Sequence, residues 1–185
     1  MKIYLMLTDT NTVLSKTIKL YTKATYNHAS IALEPTLLKP YSFGRKYTHN
    51  PFLGGFIEED LTRPYFLRAQ CAIYCCEISE QQYESLVELL SFYNQTKDIY
   101  RYNLIGLITL ALNIDFDRRD SFFCSQFVAS VLSESGIYTF EKEPHFITPG
   151  DLSQVPIFVP IYSGSLSDYL QTVAQEQSKP QLLLS

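Results

Sequence analysis

Cys124, Phe127, Val128, Val131 and Leu132 lie at offsets of three, four, seven and eight, so their side chains share one stripe of an α-helix. Such a stripe is stable only against a second apolar surface, so it commits the chain to a packed domain built around this helix. Ser121 is the candidate N-cap, and Gly136, after Glu134 and Ser135, is the candidate stop. Cys124 then falls in the first turn, where backbone N–H groups lack intrahelical partners and carry partial positive charge. A thiolate, the nucleophilic form of cysteine, is favoured there, and the same N–H groups suit the oxyanion of a carbonyl under attack. A lone cysteine among phenylalanines is most often a small buried hydrophobe. The choice between the two rests on what the remaining residues can bring to the thiol.

The second surface is legible as a series of β-favouring runs. Residues 2–7 alternate and form a first strand. His28-Ala29-Ser30-Ile31-Ala32-Leu33 is a strand of small and aliphatic residues. Its period of two puts His28, Ser30 and Ala32 on one face and Ala29, Ile31 and Leu33 on the other. Residues 41–46 form a further strand, its antiparallel partner. Residues 50–56 read as an aromatic, glycine-punctuated loop, and residues 65–78 as a long β run holding a bend. Helical periodicity marks residues 13–22. A capping box, Ser79 with Gln82, opens a helix with the stripe Tyr83, Leu86, Val87, Leu90 and Tyr93. Residues 102–112, apolar nearly all round, read as a buried helix in which Gly106 permits close approach. Beyond Gly136 come a turn at residues 148–152, a last strand at 157–162, then a short helix and a frayed tail from about residue 175. Strands in the middle with helices before, between and after them give an α+β fold, an antiparallel sheet packed against helices.

Composition narrows the function. A length of 185 residues, 46% of them hydrophobic, suits one good core, hence a single domain over residues 1–185. A net charge of −4 and a pI near 5.4 lack the electrostatic footprint of nucleic-acid binding. The apolar start is too short for a signal-peptide core, and no run is long enough to span a membrane, which predicts a cytoplasmic protein without a membrane span. Cys71, Cys75, Cys76 and Cys124 are then expected as thiols rather than disulfides. The first three lack the paired spacing of a zinc site, and no phosphate-cradling glycine loop is present, so neither a metal nor another cofactor is expected. The expected partner is a small-molecule or peptide substrate. Oligomeric state is not written in the sequence.

A cysteine nucleophile needs a base within hydrogen-bond reach, usually histidine, and the base needs an orienter. His49 and His145 sit in polar loops and read as solvated, whereas His28 opens a strand of small residues that leaves its ring room to meet a helix terminus. Tyr26-Asn27-His28-Ala29-Ser30-Ile31-Ala32-Leu33, followed far downstream by Phe122-Phe123-Cys124-Ser125-Gln126-Phe127-Val128-Ala129, resembles the permuted papain-like amidases. That group is the circularly permuted branch of the NlpC-like cysteine peptidase superfamily, typified by bacterial YiiX-type proteins, in which the histidine strand precedes the cysteine helix. The resemblance runs from about Ile3 to Asp151 and takes in a threonine-rich opening helix and the Pro149-Gly150-Asp151-Leu152 element. It implies a permuted papain-like fold with Cys124 as nucleophile and His28 as base. The activity implied is that of an amidase or peptidase working through a thioester, on cell-wall-derived peptides among other substrates. An acyltransferase or thioesterase on lipid or other acyl substrates is the neighbouring outcome, and a catalytically inactive binding module on the same fold is the alternative class.

The family carries a polar or acidic orienter on the strand after the histidine strand. In residues 41–45 the only candidate is Ser42, a hydroxyl that can fix the tautomer of the imidazole; Glu58 or Glu59, just downstream, are the substitutes. Tyr26, beside the histidine strand, and Asn103, ahead of the buried helix, are the candidate substrate-binding side chains.

Overall fold

Strand β1 (Lys2–Asp9) is buried from Ile3 onward, on both of its faces. A strand with that pattern must lie inside a sheet covered on two sides. A computed structural model of the chain describes residues 1–10, 25–47, 50–97, 101–102, 121–122 and 124–178, and in it β1 is the fourth strand of six. The others are β2 (His28–Ala32), β3 (Tyr41–Tyr47), β4 (Asn50–Glu58), β5 (Gln70–Glu77) and β8 (Val159–Ser165), in the order β4-β3-β2-β1-β5-β8. Every pairing in this sheet is antiparallel. Two short strands, β6 (Arg101–Tyr102) and β7 (Ser121–Phe122), pair with each other in parallel. The helices among the described residues are α1 (Pro64–Leu67), α2 (Glu80–Gln95), α3 (Cys124–Glu134), α4 (Pro149–Leu152) and α5 (Leu166–Ser178), with a 3-10 turn at Pro144–Phe146. The architecture is therefore the expected α+β type, an antiparallel sheet with helices packed on it. No helix among the described residues is long and apolar enough to cross a membrane.

Alternation along the central strands divides the core in two. Ile3, Leu5, Leu7, Ala29 and Ile31 pack with Leu86 and Leu90 of α2 and with Phe127, Val128, Val131 and Leu132 of α3. Tyr4, Met6, Ala32, Cys71 and Ile73 pack on the other side with Phe66 of α1 and with Leu166 and Tyr169 of α5. The stripe that defines α3 thus finds its apolar surface, and all four of its hydrophobic members are fully buried. At the far end of α3, Gly136 takes a φ of +68°, a left-handed conformation that glycine adopts without steric cost, and Ile137 N–H returns to the Leu132 carbonyl.

Several local expectations are corrected. Residues 50–56 belong to strand β4, because pairing with β3 in the register Phe43↔Phe56 and Gly44↔Gly55 overrides the weak strand preference of glycine. The run from residue 65 starts as a helical turn, since Pro64 stands at its first position, and becomes a strand only at Gln70. Ser121 is not a cap; it lies in β7, and the helix begins at Cys124. The Ser79–Gln82 capping box is present, but Val87 is 38% exposed, so the stripe of α2 rests on Leu86, Leu90 and Tyr93. Helix α5 continues through Ser178, past the expected start of the tail. The helix expected at residues 13–22, residues 103–112 of the buried helix, Asn103, His49 and residues 179–185 lie outside the described residues.

Phe43 of β3, Phe56 of β4, Tyr93 of α2 and Phe127 of α3 form a closed set of ring contacts, each ring within 6.0 Å of the other three by centroid. Most are edge-to-face or tilted, the geometry that the aromatic quadrupole favours. Phe127 lies one turn beyond Cys124, so this cluster fixes the helix that carries the thiol. Phe127→Ala is expected to cost about 3–5 kcal/mol of unfolding free energy in a denaturant titration. A loss below about 1 kcal/mol would show that the cluster does not anchor α3.

Candidate active site

His28 is the first residue of β2, and three local bonds set where that strand begins. Asn27 N–H donates to the Thr8 carbonyl at 3.0 Å, and the Asn27 side-chain amide donates to Asp9 Oδ1 at 2.8 Å. Thr8 in turn pairs across the ladder with His28. The imidazole is largely buried, with 17% of its side-chain surface exposed. Its Nε2 lies 2.5 Å from Oε1 of Glu59. Cys124, at the start of α3, lies near enough to the same ring to act on its charge.

Burial opposes the charged imidazolium, but the Glu59 carboxylate and the Cys124 sulfur outweigh it, and the pKa of His28 is held well above the ordinary histidine value. The ring is thereby a strong proton acceptor inside a nearly closed site.

Glu59 follows directly on β4, and its N–H donates to the Pro40 carbonyl at 2.8 Å, which fixes its backbone against the start of β3. Its side chain is 2% exposed. A carboxylate so deeply buried needs a donor on each oxygen. His28 serves Oε1, and the Ser30 hydroxyl donates to Oε2 at 2.5 Å. Ser30 is two residues on from His28 in β2, on the same strand face, and is fully buried.

The start of α3 is tied down independently. The Ser125 hydroxyl donates to the Ile147 carbonyl at 2.6 Å. Thr148 and Asp151 form a capping box on α4, and Lys142 reaches Asp151 at 2.6 Å. The Pro-Gly-Asp-Leu element thus braces the segment to which the helix start is bonded.

Of the sequence candidates, Cys124 and His28 are brought together. Ser42 is not the partner of the imidazole: its hydroxyl donates to the Ala29 carbonyl at 2.8 Å, and Glu59 takes the position at Nε2. Register is the reason. With Ile31 opposite Tyr41, continuing the antiparallel count puts Ser42 opposite Ser30 and Gly44 opposite His28. A Cβ at Gly44 would meet Ile57 Cδ1 at 2.9 Å and stand in ordinary contact with His28 Cε1 at 3.9 Å, so the space left by the absent side chain is taken by Ile57 beside the ring. Tyr26 is half-buried and packs on the core cluster beneath α3, and Asn103 is outside the described residues. Sequence reasoning missed Ser30 and Gly44, although alternation had already put Ser30 on the face of His28. Glu59 was in view only as a substitute for Ser42.

The other cysteines are set apart from this chemistry. Burial pushes the Cys71 thiol up to about 12 and raises Cys76 as well. No group of three or more His, Cys, Asp or Glu side chains among the described residues could hold a metal ion. Comparison with known proteins found no matching family model and no curated protein of significant similarity.

The raised His28 value has a defined effect on stability. Below about pH 6.5 both folded and unfolded chains hold the proton and the full stabilisation is present; as pH rises through the folded value it is lost. Denaturant unfolding across this range is expected to show stability falling with pH in the wild type and a flattened profile in His28→Ala. An unchanged slope in His28→Ala would assign the pH dependence to other groups.

Proposed function

We propose that the chain is a cysteine hydrolase of the permuted papain-like type, cleaving an amide or related acyl bond through a thioester. The observation that carries this reading is the His28 imidazole shared between the Cys124 thiol and the buried Glu59 carboxylate. Nucleophile, base and orienter together are the minimum set for acyl transfer by cysteine.

In this mechanism His28 takes the thiol proton and the sulfur attacks the acyl carbon. The carbonyl electrons move onto oxygen, held by backbone N–H groups at the start of α3. Collapse of the tetrahedral intermediate expels the amine, which takes the proton from His28 and leaves a thioester on Cys124. Water, deprotonated by His28, then attacks the thioester and releases the acid and the thiol. Glu59 holds the ring orientation and stabilises the imidazolium that forms twice per cycle.

The reading of an inactive binding module drew on a missing acidic orienter, and the Glu59 contact removes that support. An amine or alcohol in place of water would make the same thioester an acyltransferase intermediate. Recycled cell-wall peptide fragments, or another intracellular amide, are the substrates that suit a cytoplasmic enzyme of this kind.

Two measurements test the proposal. Iodoacetamide near neutral pH is expected to alkylate Cys124 at least about tenfold faster than Cys71, Cys75 or Cys76, an advantage that His28→Ala abolishes. Equal reactivity of all four thiols would remove the activated nucleophile. An activated acyl ester is expected to leave an acyl group on Cys124, seen by intact mass and absent from Cys124→Ala. Acceleration of its decay by an added amine would identify an acyltransferase rather than a hydrolase.

A further inference from the structure

The chain of contacts does not end at Glu59. A carboxylate that orients a histidine is useful only if it cannot turn, and this one has almost no solvent around it to hold its second oxygen. The Ser30 hydroxyl supplies that hold at 2.5 Å, from a position two residues along the strand that carries His28 itself. Because His28 and Ser30 project from the same face of β2, their side chains are spaced by the strand, and the two oxygens of one carboxylate bridge them. The bridge brings Glu59, the residue that follows β4, to a strand two places away in the sheet.

We propose that Ser30 is a positioning residue of the catalytic apparatus, acting through Glu59 to keep its carboxylate aimed at Nε2 of His28. This rests on the cysteine-hydrolase reading above. Ser30 touches no reacting atom; its hydroxyl proton stays on Ser30, and its bond holds the second oxygen of Glu59 in place. The titratable groups that act on His28 are Glu59 and Cys124. Loss of the hydroxyl leaves Oε2 buried without that donor, so the carboxylate is no longer held in its orientation, and a Glu59 that turns away weakens the base.

The test is the pH dependence of Cys124 alkylation by iodoacetamide, read site by site from peptide masses, in wild type, S30A, E59Q and the double variant. S30A is expected to slow Cys124 alkylation about tenfold below neutral pH, the size of one hydrogen bond to a charged group, and to move the acid limb of the profile upward. E59Q slows it at least as much. The double variant matches E59Q within about twofold, because Ser30 has nothing left to act through. S30T, which keeps the hydroxyl, restores the wild-type profile, and Ser30→Gly, a second truncation, behaves as S30A does. A profile for S30A and Ser30→Gly that superimposes on wild type, with only the melting temperature lowered, would make Ser30 a structural residue and overturn the proposal. The same slowing by S30A in the E59Q background would overturn it too. If E59Q itself leaves Cys124 unchanged, the Cys–His–Glu reading fails first, an outcome distinct from failure of Ser30 alone.

Discussion

Four aromatic rings, Phe43, Phe56, Tyr93 and Phe127, join two strands and two helices at one point, and the position of Cys124 depends on them. Each ring belongs to a different element, so no element can shift without breaking contacts with the other three. The helix that carries Cys124 is held at this cluster by Phe127 and, nearer its start, by the Ser125 hydroxyl on the Ile147 carbonyl. Apolar packing supplies the strength and one hydrogen bond supplies the direction. A thiol at the end of a rigid helix can be placed against a histidine on a neighbouring strand without any mobile loop to bring the two together.

The polar part of the site obeys a different constraint. Glu59 is almost fully buried, and such a carboxylate is tolerated only when both oxygens are satisfied and a positive charge is within reach. β2 meets both needs with two residues of one face, His28 and Ser30. The imidazolium is worth more to Glu59 inside the protein than in water, and by the same interaction Glu59 raises the affinity of His28 for a proton. Stability and reactivity therefore draw on one pair of contacts.

The elements with strong local signals were legible before the fold was known. The stripe of α3, the Ser79–Gln82 capping box and the alternation of β2 are all present. Each depends on side chains within a few residues of one another, so each is encoded locally. Strand β4 was not legible, because Gly54 and Gly55 look like a loop until Arg45 and Gly44 lie alongside them. The turn at Pro64 and the partial exposure of Val87 were hidden for the same reason: both depend on what packs nearby. At the site, His28 and Cys124 were readable from residue type and chain order, whereas the orienter was assigned to Ser42 on a face argument that lacked a register.

The sequence by itself determined that a thiol would head an amphipathic helix, that a histidine would open a strand of small residues, and that both would belong to one α+β domain. Periodicity and residue chemistry are sufficient for that, since they act over a turn of helix or a pair of strand positions. Only the tertiary structure decided that Gly44 faces His28, that Ser42 spends its hydroxyl on Ala29, and that Glu59 arrives from beyond β4 to bind both His28 and Ser30. Those outcomes depend on register between strands, which is set by the total burial of two core faces and not by any residue pair. A slip of one position would have exchanged the faces, and with them the partner of the His28 ring.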